Sequence, residues 1–305
     1  MIGLDYARTD PLIVDIRRNA LDDGPGIRSV VFFKGCPMAC VWCHNPECMT
    51  SGPEVQRSEA TCILCNRCTE VCSLAIPDRR PAALQDRTTC TQCGHCIEVC
   101  PVEAVRAVGR HFTLDELVAR LLKDGPFYRN SNGGVTLSGG EPTMHMAYVG
   151  KLCEALKAGN IHVLLETCGL FNFNRFKDQV LPYLDTIYFD VKLFDPAAHL
   201  SHTGQDNGRI LENLAQLMEM IPEKILPRIP LIPGITDGEE NLTSISGYFR
   251  HIGLKRMALL PYNPLWLDKL KDLGRSSPYR HTQWMDPSHI NWCREVCRRS
   301  GLEVL

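Results

Sequence analysis

Ser29-Val-Val-Phe-Phe-Lys-Gly-Cys36-Pro-Met-Ala-Cys40-Val-Trp-Cys43 reads as an apolar strand that runs directly into a loop of three cysteines spaced C-x3-C-x2-C. Thiolates so spaced suit a 4Fe–4S cubane, and three of them for four irons leave one iron open to a non-protein ligand. Zinc, or a loop in which the cysteines are incidental, is the competing explanation.

Downstream, Cys62, Cys65, Cys68 and Cys72 follow C-x2-C-x2-C-x3-C, and Cys90, Cys93, Cys96 and Cys100 repeat the spacing, ending in Cys100-Pro101. In such a pair each run wraps one cubane with its first three thiolates and lends its fourth to the other. Cys62, Cys65, Cys68 and Cys100 are therefore expected to share one cluster, and Cys90, Cys93, Cys96 and Cys72 a second. Two zinc sites are the alternative, which four cysteines per run and the following Pro disfavour. Residues 53–109 read as an insertion in a main domain made of 1–52 and 110–305.

Beyond the insertion, Thr113-Leu-Asp-Glu116 forms a capping box that starts a helix. Apolar runs at Ser29–Phe33, Gly134–Ser138, Ile161–Glu166, Thr186–Val191, Leu226–Leu231 and Met257–Pro261 predict six strands. Helical patterns fall between them, at Met144–Ala158, Phe173–Tyr183, Arg209–Met220 and Glu239–His251. This βα alternation predicts a parallel sheet, and six strands fit a partial (β/α)6 TIM-like barrel with its site at the strand C-termini. Leu265–Arg280 mixes Trp, Pro, Gly and charge without a period and is expected to be loop.

The 305 residues carry 33 Lys plus Arg against 35 Asp plus Glu, a net charge of -2 that offers no footprint for nucleic acid or acidic membranes. The N-terminus lacks a signal-peptide pattern and no apolar run approaches a membrane span, so the expected location is the cytoplasm, with no membrane partner. Eleven of the 16 cysteines lie in the three clusters, which points to metal rather than disulfides. Cys48, Cys153, Cys168, Cys293 and Cys297 are expected to be buried structural thiols.

The loop C-x3-C-x-W-C followed by His44-Asn-Pro-Glu47 resembles the radical S-adenosylmethionine (SAM) signature, in which an aromatic residue, here Trp42, precedes the last cysteine. Asp23-Gly24-Pro25-Gly26-Ile-Arg28 is similar to the DGPGIR segment of glycyl-radical-enzyme activating enzymes. The cysteine-rich insertion resembles the branch of that family with a ferredoxin-like domain carrying two 4Fe–4S clusters. This resemblance spans essentially the whole chain.

It implies three 4Fe–4S clusters, one of them on Cys36, Cys40 and Cys43 with SAM on its open iron. SAM would be split reductively to methionine and a 5'-deoxyadenosyl radical, which takes the pro-S hydrogen from a glycine of a cognate glycyl radical enzyme. A reductant such as flavodoxin or ferredoxin would supply electrons. Gly139, Gly140 and Glu141, in a GGEP stretch that is otherwise an ordinary tight turn, would meet the SAM amino group. Asp190 and Lys192, otherwise a surface ion pair, would line the methionine site, with Arg228, Glu166 and more weakly Asn263 nearby; Asn263 stands where better-known members have His. Asp23, Gly24, Pro25, Gly26 and Arg28 would hold the partner's glycine loop. No catalytic acid or base is needed. The alternatives are a radical SAM enzyme acting on a small molecule or peptide, a ferredoxin-type electron carrier, and a zinc-binding interaction protein.

Overall fold

The computed structural model describes residues 10–72 and 90–305; the stretch of the insertion between its two cysteine runs lies outside the described residues. Six parallel strands form the centre of one nine-stranded sheet: β2 (Arg28–Phe33), β6 (Gly134–Gly139), β7 (His162–Thr167), β8 (Thr186–Asp190), β9 (Ile225–Leu231) and β10 (Arg256–Pro261). Every one of these was legible as an apolar run. β2 is buried along its whole length and β6 along nearly all of it, as parallel strands covered on both faces must be.

Three further strands of this sheet escaped the sequence pattern. β1 (Leu12–Ala20) pairs antiparallel with β2 and carries β5 (Arg110–His111) on its other edge, while β11 (Glu303–Val304) adds parallel to β10. β1 begins apolar but ends in exposed Arg17, Arg18 and Asn19, so its second half looks like loop. The sheet is therefore mixed, with antiparallel pairing confined to one side.

Helices follow the strands. Thr113 accepts from the Glu116 amide at 3.2 Å and Glu116 Oε2 from the Thr113 amide at 2.9 Å, so the expected capping box is present. The helix expected over Phe173–Tyr183 stops at Gln179 and continues as a 3₁₀ turn, Leu181–Tyr183, because Pro182 has no amide hydrogen and crowds the preceding turn. The expected loop Leu265–Arg280 needs a larger correction: Trp266–Asp272 is a helix, seated by buried Trp266 and Leu270 one turn apart. Pro264 and Gly274 at its flanks hid the short period.

The insertion leaves the sheet through β3 (Glu54–Arg57) and returns through β4 (Val105–Val108), which pair with each other as a separate two-stranded sheet. Among the described residues no helix is long and apolar enough to cross a membrane.

Candidate active site

The C-terminal ends of all six parallel strands open on one cavity of about 360 Å³, within the range of roughly 300–1,000 Å³ usual for small-molecule sites. The loop after β2 contributes Cys36, Cys40, Trp42 and Cys43; β6 ends in Ser138, Gly139 and Gly140; β7 and β8 bring Glu166, Asp190 and Lys192; β9 and β10 bring Arg228 and Asn263. The structure thus brings together the three cysteines of the first loop and, apart from Glu141, the residues expected around SAM.

Backbone hydrogen bonds hold the cysteine loop from several sides. Gly35 and Cys36 donate to Cys48 O and Met49 O at 2.8 and 3.0 Å, folding the loop back on itself. Ala39 and Val41 donate to Thr203 O and His202 O at 2.7 and 3.0 Å. Gly140 is needed for close approach: a Cβ there would lie 2.1 Å from Gly35 O, and one on Gly139, at φ +108°, 2.4 Å from the Phe33 amide nitrogen. The glycine turn can therefore press its backbone against the cysteine loop.

Opposite the cysteines stands a charged clamp. Arg228 donates from Nη1 to Glu166 Oε1 at 2.6 Å and from Nε to Asp190 Oδ1 at 2.8 Å, with its guanidinium 4.9 Å from the centre of the Tyr188 ring. Ser138 donates to the other Glu166 oxygen at 2.6 Å. Lys192 Nζ stands 3.5 Å from Asp190 Oδ2, too far for a tight pair. Burial pushes the Asp190 carboxyl up, but Arg228 and Lys192 outweigh it and hold the group below the ordinary carboxylate range. Lys192 is shifted up, because Asp190 and the nearby cysteines overcome the desolvation that opposes its charge. Asp190, Lys192 and Arg228 are thus held in their charged forms, and the loosely held Lys192 keeps donors for a ligand carboxylate.

Two expected contacts are placed differently. Glu141 is fully buried and absent from the cavity wall. Its Oε1 accepts from the Thr143 amide, Thr143 Oγ1 and Thr167 Oγ1 at 3.1, 2.7 and 2.9 Å, and its Oε2 from the Cys168 amide at 2.7 Å. It ties the ends of β6 and β7 together behind the cavity. Arg28 is also fully buried, donating to Thr136 Oγ1 at 2.6 Å, Val135 O at 2.7 Å and Pro25 O at 3.1 Å. It supports the Asp23–Gly26 turn from within, and of that segment Asp23 reaches the cavity. Burial and the neighbouring Glu166 raise the Asp23 carboxyl above its usual range.

His44 and Cys168 wall the cavity as well. His44 Nε2 is buried without a partner, and burial lowers the ring to about 4. Cys168 is buried, as are Cys48, Cys153, Cys293 and Cys297, and its place beside Cys36 follows only from where β7 ends. Lys269, in the helix Trp266–Asp272, donates to His44 O, Asn45 Oδ1 and Glu47 Oε1 at 3.1, 3.0 and 2.7 Å. Nothing in the sequence pattern marked it.

In the insertion, Cys62, Cys65, Cys68 and Cys100 wall one small cavity together with Arg57. Cys68, Cys90, Cys96 and Cys100 pack against Val55 and Val105, and burial pushes the Cys96 thiol up to about 11. The duplication is structural: Leu64 and Asn66 in the first run, and Gln92 and Gly94 in the second, take positive φ at matching positions, each pair leading into a one-turn helix.

The donor set fits iron–sulfur clusters and SAM. Burial raises the thiols of Cys40, to about 11, and of Cys43 further, so a cationic metal centre is what would favour their thiolates. The orphaned His44 Nε2 and the half-free Lys192 leave hydrogen-bonding capacity facing the same space.

Comparison with known proteins agrees. The radical SAM superfamily profile matches residues 90–244 and that of a 4Fe-4S dicluster domain residues 54–101. The isethionate sulfite-lyase activating enzyme of Nitratidesulfovibrio vulgaris is 36% identical over 285 residues, covering 91% of this chain and 92% of its own. The trans-4-hydroxy-L-proline dehydratase activating enzyme of Clostridioides difficile is 40% identical over 258 residues, 83% of this chain and 85% of its own. A radical SAM methyltransferase from Sphaerobacter thermophilus shares the fold, with a TM-score of 0.55 at 14% identity over 96% of this chain and 76% of that one.

Proposed function

The chain belongs to the radical SAM superfamily and, within it, to the activating enzymes of glycyl radical enzymes, and from that premise we propose how its residues divide the work. It is an enzyme whose radical SAM chemistry generates a glycyl radical on a partner protein. When bound, a 4Fe–4S cluster and SAM supply reductive cleavage to methionine and a 5'-deoxyadenosyl radical that abstracts hydrogen from the partner's glycine. Cys36, Cys40 and Cys43 would hold that cluster, three thiolates being one fewer than its irons. Arg228 and Lys192, kept charged by Glu166 and Asp190, orient the SAM carboxylate, and the bare backbone at Gly139 and Gly140 admits its amino group. Trp42 and Asn263 shape the cavity wall, and Glu141 holds the glycine turn in place. Asp23, Gly24, Pro25 and Gly26 form the rim that receives the partner's glycine loop, supported from beneath by Arg28.

The architecture is a partial (β/α)6 barrel of residues 1–52 and 110–305, interrupted by a ferredoxin-like module at 53–109. That module carries two further 4Fe–4S clusters, on Cys62, Cys65, Cys68 and Cys100 and on Cys90, Cys93, Cys96 and Cys72, making three in all. So loaded, the module would supply a path for electrons from an external one-electron donor such as flavodoxin or ferredoxin, in the anaerobic cytoplasm.

One observation carries this reading: three half-buried thiols from the loop after β2 and a four-residue charged clamp from the ends of β7, β8 and β9 meet in one cavity. The test is anaerobic reconstitution followed by iron analysis and quantification of 5'-deoxyadenosine after reduction with SAM. About twelve irons per chain and deoxyadenosine that disappears in Cys40→Ala are expected. Undiminished product in that variant would refute the cluster assignment.

A further inference from the structure

Arg57 ends β3 and walls the cavity shared by Cys62, Cys65, Cys68 and Cys100. Its Nη2 donates to Cys62 Sγ at 3.0 Å, and its Nε is buried with no partner. Among the described residues no carboxylate pairs with it; Glu59, two residues on, is engaged with Lys271 at 2.7 Å. Arg57 is half-buried overall, and a buried guanidinium nitrogen with an unused donor is costly unless an acceptor or anion stands before it. A thiolate-ligated cluster is such an anion.

The other thiol set differs. Cys90 accepts from the Gln92 amide at 3.4 Å, and among the described residues no Arg or Lys donates to Cys72, Cys90, Cys93 or Cys96. The two loops otherwise repeat one backbone conformation, and among the described residues Arg57 is the cation that donates to a thiol of either set. Reduction adds one negative charge to a cluster, and a fixed positive charge beside it favours the reduced state.

We propose that Arg57 raises the reduction potential of the cluster that Cys62, Cys65, Cys68 and Cys100 would hold, making it more easily reduced than it would be without the guanidinium beside it. This rests on the two-cluster reading of the insertion given above. Arg57 acts as a positioning residue for charge, through the cluster rather than on substrate.

The test is an anaerobic redox titration of the holoenzyme followed by EPR, comparing wild type with Arg57→Met and Arg57→Lys. In Arg57→Met one signal, the one that vanishes in Cys65→Ala, is expected to titrate lower. Its reduced-to-oxidised ratio at the wild-type midpoint should fall roughly tenfold, about 59 mV for one electron, while the other two signals stay. Arg57→Lys keeps the charge without the Nε donor and should move the same signal less; it serves as the test should Arg57→Met lose iron. Unmoved potentials at full iron content, or all three signals moving together, overturn the proposal. Wild-type iron near four per chain would instead overturn the two-cluster reading beneath it.

Discussion

Arg228 shows how much of the cavity hangs on one side chain. It stands between carboxylates from two neighbouring strands, with only about a tenth of its side chain exposed. Removing it would leave Glu166 and Asp190 facing each other in a water-poor site, a loss on the order of 3–5 kcal/mol. Arg228→Met is expected to lower the thermal unfolding midpoint and to weaken SAM binding by roughly tenfold or more, as read by calorimetric titration of the reconstituted protein. Arg228→Lys, which cannot form the fork, should fall between the two. Affinity equal to wild type would remove Arg228 from the SAM clamp. At this scale the sequence revealed where chemistry-bearing residues sit but not which way they point. Glu141 and Arg28 lie in the stretches that drew attention, yet both turn inward, where hydroxyl and backbone partners on and just after β6 and β7 take their hydrogen bonds. Direction depends on neighbours far away in sequence, and no local pattern encodes it.

Secondary elements were legible in proportion to how fully they are buried. β2, β6, β7 and β9 are buried on both faces, and β8 and β10 bury alternate residues of an apolar run, whereas β1 is half exposed and the helix Trp266–Asp272 shows only two buried anchors. That helix nevertheless supports the site, since Lys269 satisfies three acceptors in the stretch just after Cys43. Lys269→Met would leave the Glu47 carboxylate and two further acceptors without their shared cation, and the cysteine loop would open more readily. Faster iron release to a chelator is expected from the reconstituted variant, followed by loss of visible absorbance, with the fold unchanged by circular dichroism. Release at the wild-type rate would mean that the cluster ligands alone hold the loop closed.

At the scale of the whole chain, the inserted module is joined to the main sheet at a single base. Glu54, its first strand residue, pairs opposite Val108, its last, so the chain enters and leaves at adjacent points. Glu54 Oε2 accepts from buried Lys34 at 2.6 Å, its other oxygen meets Arg275, and Lys34 also donates to Glu47 O at 2.7 Å. One carboxylate thus connects the module, the strand that feeds the cysteine loop, and the C-terminal segment. Because the base is a closed pair of strands, the module can be cut away above it: joining Arg57 to Val105 through an Asn-Gly turn keeps Glu54 and its partners and asks only for a two-residue hairpin. The shortened chain is expected to fold, to bind about four irons, and to form 5'-deoxyadenosine with a strong chemical reductant but far more slowly with a protein electron donor. Equal rates with both donors would show that electrons reach the SAM-bound cluster without the module. An insoluble product would instead make the module part of the fold, with the ion cluster at Glu54 depending on what lies above it.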